Sequence, residues 1–156
     1  MVVVGLTAYT FVKFLHVLLA ILAVGFNASY AIWLARAARE PEHELHVVRG
    51  IKLLDDRFAN PAYGLLLVTG LLMVRFGGLS FSMLWLKTAL GIYIALALLA
   101  ALVYTPTLRK QVQLLEAGSG GTAEYEAVSQ RGGIVGMVLA LMVIVIVFLM
   151  VTKPGA

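Results

Sequence analysis

His16 lies inside an otherwise apolar run and is the side chain of this sequence most able to do chemistry. An imidazole can ligate a metal or haem iron, or carry a proton near neutral pH. At helical spacing Lys13, His16, Ala20, Ala23, Asn27 and Tyr30 share one stripe, polar or small between flanks of Leu, Val and Ile. Inside a membrane such a stripe faces other helices, where small residues pack closely and polar ones find hydrogen bonds. Asn27 therefore reads as an interhelical hydrogen bond. His16 has two readings, a neutral imidazole bonded to a neighbouring helix and a ligand. Lys87, beside Trp85, lies near the same membrane face as Lys13 and Arg75. Three cations there could receive the carboxylates of a haem, porphyrin or quinone-like group, or serve as ordinary snorkelling anchors. If a prosthetic group is present, the expectation is haem b or a porphyrin lying on Ala20 and Ala23. His16 would then ligate the iron, and Lys13, Arg75 and Lys87 would hold the propionates.

Other candidates carry less. His43 and His46 stand three apart between Glu42 and Glu44, a spacing that lets one metal bridge two imidazoles on a helix. No third ligand is fixed by spacing, and charged helix starts commonly look like this. Asp55-Asp56-Arg57 followed by Asn60-Pro61 is explained without function by an Asp–Arg pair and a helix cap. Gly132, Gly136 and Ala140 recur every four residues, a small-residue groove expected to make a close helix contact within or between chains.

These residues must be positioned by membrane helices. Hydrophobic residues make up 62% of the 156 and charged residues only 13%, too few to coat a soluble domain. The same composition excludes a disordered chain. Without a cysteine there is no disulfide, thiolate zinc site, iron–sulfur cluster or cysteine nucleophile. The net charge of +4 is spread between apolar blocks, so it reads as topology signal and lipid contact, not as a nucleic-acid surface. No phosphate loop, zinc-protease or hydrolase motif occurs.

The expected fold is an all-α, four-helix membrane bundle forming a single domain, with spans at about 7–39, 61–76, 82–105 and 133–152. Amphipathic interfacial segments are expected at about 42–58 and 107–131. The first span reads as a retained helix, since basic residues are missing before Lys13 and the apolar run continues past any cut at Ala31. Asn60 is expected to cap the second span and Pro61 to open it, which leaves a short, untilted helix. Ser80 or Ser82 is expected to cap the third, with a kink or break at Pro106. Gly118-Ser119-Gly120-Gly121 reads as a flexible linker, followed by a helix capped by Thr122. Eight Lys and Arg fall in the two long loops against Lys13, Arg75, Lys87 and Lys153 opposite. That asymmetry puts the loops in the cytoplasm and both termini outside.

Four stretches carry a family resemblance: Phe14–Leu18, Leu54–Gly64, Tyr104–Arg109 and Phe148–Pro154. They resemble the bacterial family of predicted integral membrane proteins called domain of unknown function twenty-two sixty-nine, over nearly the whole chain. The resemblance implies architecture and a bacterial inner membrane, and no activity. Helix 1 with His16, and Trp85-Leu86-Lys87, look more distantly like the membrane protoporphyrinogen oxidases and the copper-resistance D-type proteins. The axial histidine pair of that pattern is unmatched, because His43 and His46 lie outside the bilayer. Three function classes follow: a structural or accessory bundle, as homo-oligomer or part of a larger complex; a haem- or porphyrin-binding redox protein or oxidase using His16; and a small transporter subunit. The last has least support, with no broken midplane helix and no acidic residue expected inside the membrane.

Overall fold

Backbone amides and carbonyls have no water partner in lipid, so apolar runs of this length must close their hydrogen bonds internally as helices. The computed structural model describes residues 2–155, with side chains from Thr7 to Gly155. Among these residues the chain is all-helical, without a strand: α1 (Val2–Ala37), α2 (Pro41–Leu54), α3 (Asn60–Gly77), α4 (Leu84–Leu99), α5 (Thr105–Glu116) and α6 (Ala123–Thr152). Four of the helical stretches are long and apolar enough to cross a membrane: Thr7–Ala37, Pro41–Gly77, Leu84–Glu116 and Ala123–Thr152.

Three of those stretches join elements that the sequence separates, α6 among them, which runs unbroken from the polar segment after Thr122 through the span expected at about 133–152. α2 runs into α3 through a π-helical turn at Asp55–Ala59, and α4 into α5 through another at Ala100–Tyr104. Each turn stands just before an Xaa-Pro pair, Asn60-Pro61 and Thr105-Pro106. A proline inside a helix lacks an N–H and clashes with the carbonyl four residues back; a wider turn accommodates both faults and lets the helix continue. The break expected at Pro106 is therefore a π-turn. The expected cap at Asn60 is also absent: Asn60 has helical dihedrals, and α3 has no side-chain cap. Nor is α3 a short helix, because the helical stretch reaches back to Pro41. Met83, in extended conformation and without a side-chain cap, precedes α4, so neither Ser80 nor Ser82 caps it; their hydroxyls bond each other at 2.8 Å.

The α5–α6 connection is a built turn. Gly118 takes φ +71°, Ser119 N–H donates to Leu114 O at 2.9 Å and Gly118 N–H to Leu115 O at 3.1 Å. This pair of reversed bonds satisfies the last carbonyls of α5. Thr122 caps α6 as expected, its Oγ1 accepting from Tyr125 N–H at 3.2 Å.

α1 lies antiparallel along α3, and α6 antiparallel along α4 and α5, while α2 packs on α1 and α5. Buried clusters follow one another along the bundle: Val74, Trp85 and Leu86 at one end, Ala23, Ala62 and Leu66 in the middle, Tyr30, Val48, Ile51 and Leu108 at the other. Beyond this last cluster the polar helix ends are tied by Arg49–Glu116 at 2.7 Å and Lys110–Glu124 at 2.8 Å, and Tyr125 donates to Glu44 Oε1 at 2.6 Å, while Lys52 pairs with Asp56 within its own helical stretch.

Candidate functional site

The polar stripe of α1 meets α3 along its length. His16 is half-buried, its ring lying 3.4 Å from where a Cβ on Gly70 would stand, so the missing side chain admits the imidazole. Nδ1 is 2.8 Å from Thr69 Oγ1. The Thr69 hydroxyl has a single proton, which it gives to Leu65 O at 2.7 Å, with a longer branch to Leu66 O. Toward His16 it therefore accepts, and Nδ1 of the neutral imidazole carries the hydrogen. Nε2 keeps its lone pair. Three turns further along α1, Asn27 Nδ2 donates to the Tyr63 hydroxyl, while Tyr93 of α4 donates to the Tyr63 main-chain carbonyl. Three helices are thus joined at one tyrosine.

Lys13, Arg75 and Lys87 are exposed and form no ion pair among the described residues. Lys153, at the same end, lies 5.8 Å over the Trp85 ring. The room expected for a flat ring on Ala20 and Ala23 is not there. Ala23 is fully buried against Ala62 and Leu66, with Ala20 packed beside it, because small residues here let α1 and α3 approach. His43 and His46 are exposed, His43 lying 3.6 Å from its neighbour Glu42, and no three metal-ligating side chains gather among the described residues. On α6, Gly132 is buried where a Cβ would stand 2.6 Å from Gln111 Nε2, Gly136 faces Tyr104 at an ordinary 3.6 Å, and Ala140 is exposed.

The structure gathers a second group, around a carboxylate that the sequence explains as part of an Asp–Arg pair and a helix cap. Asp55 is buried, 4% exposed, in the first π-turn. Asp55 and Asn60 do interact, but not as a cap: Asn60 Nδ2 donates to Asp55 Oδ2 at 3.1 Å. The expected Asp–Arg pair is replaced by Lys52–Asp56, one helical turn apart, and Arg57 is exposed. Tyr30, from α1, is 3% exposed, and its hydroxyl oxygen has no hydrogen-bond partner. Tyr30, Tyr63 and Tyr104 all stand within electrostatic reach of Asp55. From Asp55 to Gly77 the helix rises roughly 33 Å, so Asp55 falls at the edge of a hydrocarbon layer of about 30 Å. A signal was present in the sequence, two aromatic-flanked Xaa-Pro pairs, one preceded by carboxylates, but their convergence needs the tertiary packing.

The fold and its interior define a multi-pass integral membrane protein, a four-span bundle tied by buried polar pairs. The chain belongs to the predicted integral membrane protein family DUF2269, whose profile matches residues 10–154. No curated protein and no solved structure matches it.

Proposed function

We propose that the protein is a structural or accessory helix bundle of a bacterial inner membrane, with both termini outside. One observation carries this reading: three polar groups are paired across helices in the bundle interior, His16 with Thr69, Asn27 with Tyr63, and Tyr93 with the Tyr63 carbonyl. Polar pairs of this kind serve cohesion in lipid. An accessory role also accords with α6, whose most apolar stretch contributes no buried residue and leaves Ile134, Met137, Leu141, Ile144 and Phe148 free for lipid, a second copy or another membrane protein. The test is the size of the particle extracted from native membranes in a lipid-preserving polymer. An assembly larger than the 16.8 kDa chain, holding a second copy or another membrane protein, is expected. A lone chain overturns the reading.

A second reading rests on the tautomer of His16. With Nδ1–H engaged by Thr69, Nε2 is the nitrogen that could ligate haem iron, a common axial role for histidine. Lys13, Arg75 and Lys87 would then meet the group's carboxylates. The closed Ala20–Ala23 face does not fit the ring, which weighs against this reading. Expression with ample haem, and spectra of wild type beside His16→Ala, decide it. No Soret band in the wild type, or an undiminished one in the variant, removes it.

A further inference from the structure

Asp55 is the only charged side chain that is buried among the described residues. Its one side-chain hydrogen bond comes from Asn60, and no cation lies within salt-bridge distance. Lys52, the nearest candidate, is paired with Asp56. A carboxylate enclosed without a counter-charge is strongly destabilising, since one neutral amide does not replace its hydration. Tyr30 adds a second unmet need in the same compartment. Its oxygen is sealed from solvent, makes no hydrogen bond and stands within reach of the Asp55 charge. Both faults are relieved together by one particle that accepts oxygen lone pairs and carries positive charge.

The surroundings select that particle. Tyr104, from the π-turn after α4, packs in the same cluster as Tyr30 of α1 and Leu54, the residue before Asp55, so three elements bring carboxylate and phenol oxygens together beside the Asn60 amide. The missing N–H of Pro61 leaves a main-chain carbonyl of the preceding turn short of a donor, and free carbonyls of this kind are ligands for alkali ions in membrane proteins. Oxygen donors suit a hard cation. The charge is a single negative one, because Lys52 and Asp56 neutralise each other. A divalent ion would leave buried positive charge in excess and would call for more carboxylates.

We propose that Asp55, Tyr30 and Tyr104, at the two π-turns, form a binding site for a monovalent alkali cation, Na⁺ or K⁺, at the cytoplasmic edge of the bundle. The test uses the full chain in lipid nanodiscs. Thermal unfolding is followed while NaCl or KCl replaces N-methylglucamine chloride at constant ionic strength. The expected result is a saturable rise in Tm with at least one of the two ions, abolished in Asp55→Asn. Tyr30→Phe removes one oxygen and leaves the packing, so it keeps the assay decisive even where Asp55→Asn folds poorly. Its ion response should need about tenfold more salt. A Tyr30→Phe response identical to wild type makes the hydroxyl a mere orphan and overturns the proposal. So does an ion response that survives in Asp55→Asn. A wild type that answers to pH and to neither ion overturns it as well, with a proton taking the cation's place.

Discussion

Gly132 and Gly133 are adjacent, yet alanine should act on them in opposite directions. At Gly133 an added Cβ meets nothing within 4 Å, so Gly133→Ala brings only the helix-propensity gain of up to about 1 kcal/mol. At Gly132 the same Cβ would stand 2.6 Å from Gln111 Nε2 and 3.4 Å from Thr107 Cγ2. Gln111 is 3% exposed, so its amide has little room to retreat. Moving it breaks the 3.4 Å bond from Nε2 to Val128 O, worth about 0.5 kcal/mol at that length, and overpacking adds about 1–3 kcal/mol. After the propensity gain, Gly132→Ala should be destabilising by about 1–2 kcal/mol, and the two neighbours should differ by about 2–3 kcal/mol. The readout is reversible unfolding in mixed micelles, each variant beside wild type. A Gln111→Ala background makes the cause explicit. There the clash is gone, as is the orphaned Gln111 Oε1, and Gly132→Ala should turn stabilising. If Gly132→Ala matches Gly133→Ala in the wild-type background, α6 does not approach α5 as described.

Two further outcomes test the bundle. The sequence has no cysteine, so single cysteines at Ser80 and Ser119 report orientation directly. With termini outside, an impermeant thiol reagent on intact cells should label Ser80→Cys and spare Ser119→Cys, and the reverse pattern inverts the topology. Tyr63→Phe leaves the Asn27 amide without its acceptor and should lower stability by about 1 kcal/mol, an effect that should disappear in an Asn27→Leu background. Equal loss in both backgrounds would mean that the two side chains are not coupled.

The four spans were legible because apolar run length is a one-dimensional property, and so was the inward stripe of α1, from its small and polar residues. What failed were the junctions. Asn60-Pro61 reads equally as the start of a new helix and as a proline absorbed by a π-turn, since both place Pro early in a helical stretch. The choice falls to the residues before it. Val48 and Ile51 are buried against Tyr30 and Leu108, which holds α2 in helical register up to the turn. That packing partner is remote in sequence and invisible to a local reading. Gly118 shows the same limit in reverse: a glycine-rich stretch looks flexible, but its left-handed residue closes the end of α5. The α6 groove was legible in spacing and not in extent, because Gly132 is buried and Ala140 exposed.

Asp55 is legible in the sequence as a helix-start carboxylate and not as a buried charge, for a related reason. A carboxylate just before Asn-Pro is expected at a helix start, where the backbone dipole favours it. Continuity through the π-turn removes that start, and with it the ordinary explanation for the charge. In lipid, moreover, apolar burial distinguishes inside from outside only weakly, so polar and small residues set which faces meet. Where such residues are matched, as at His16–Thr69 and Asn27–Tyr63, they account for cohesion and ask for nothing more. Trp85 Nε1 and Gln111 Oε1 are single orphans, whereas at Asp55 and Tyr30 matching fails on both a charge and a hydroxyl, beside two π-turns. A fold that retains such a mismatch loses stability unless something else occupies it, and that is the physical ground for looking for chemistry there before looking at His16.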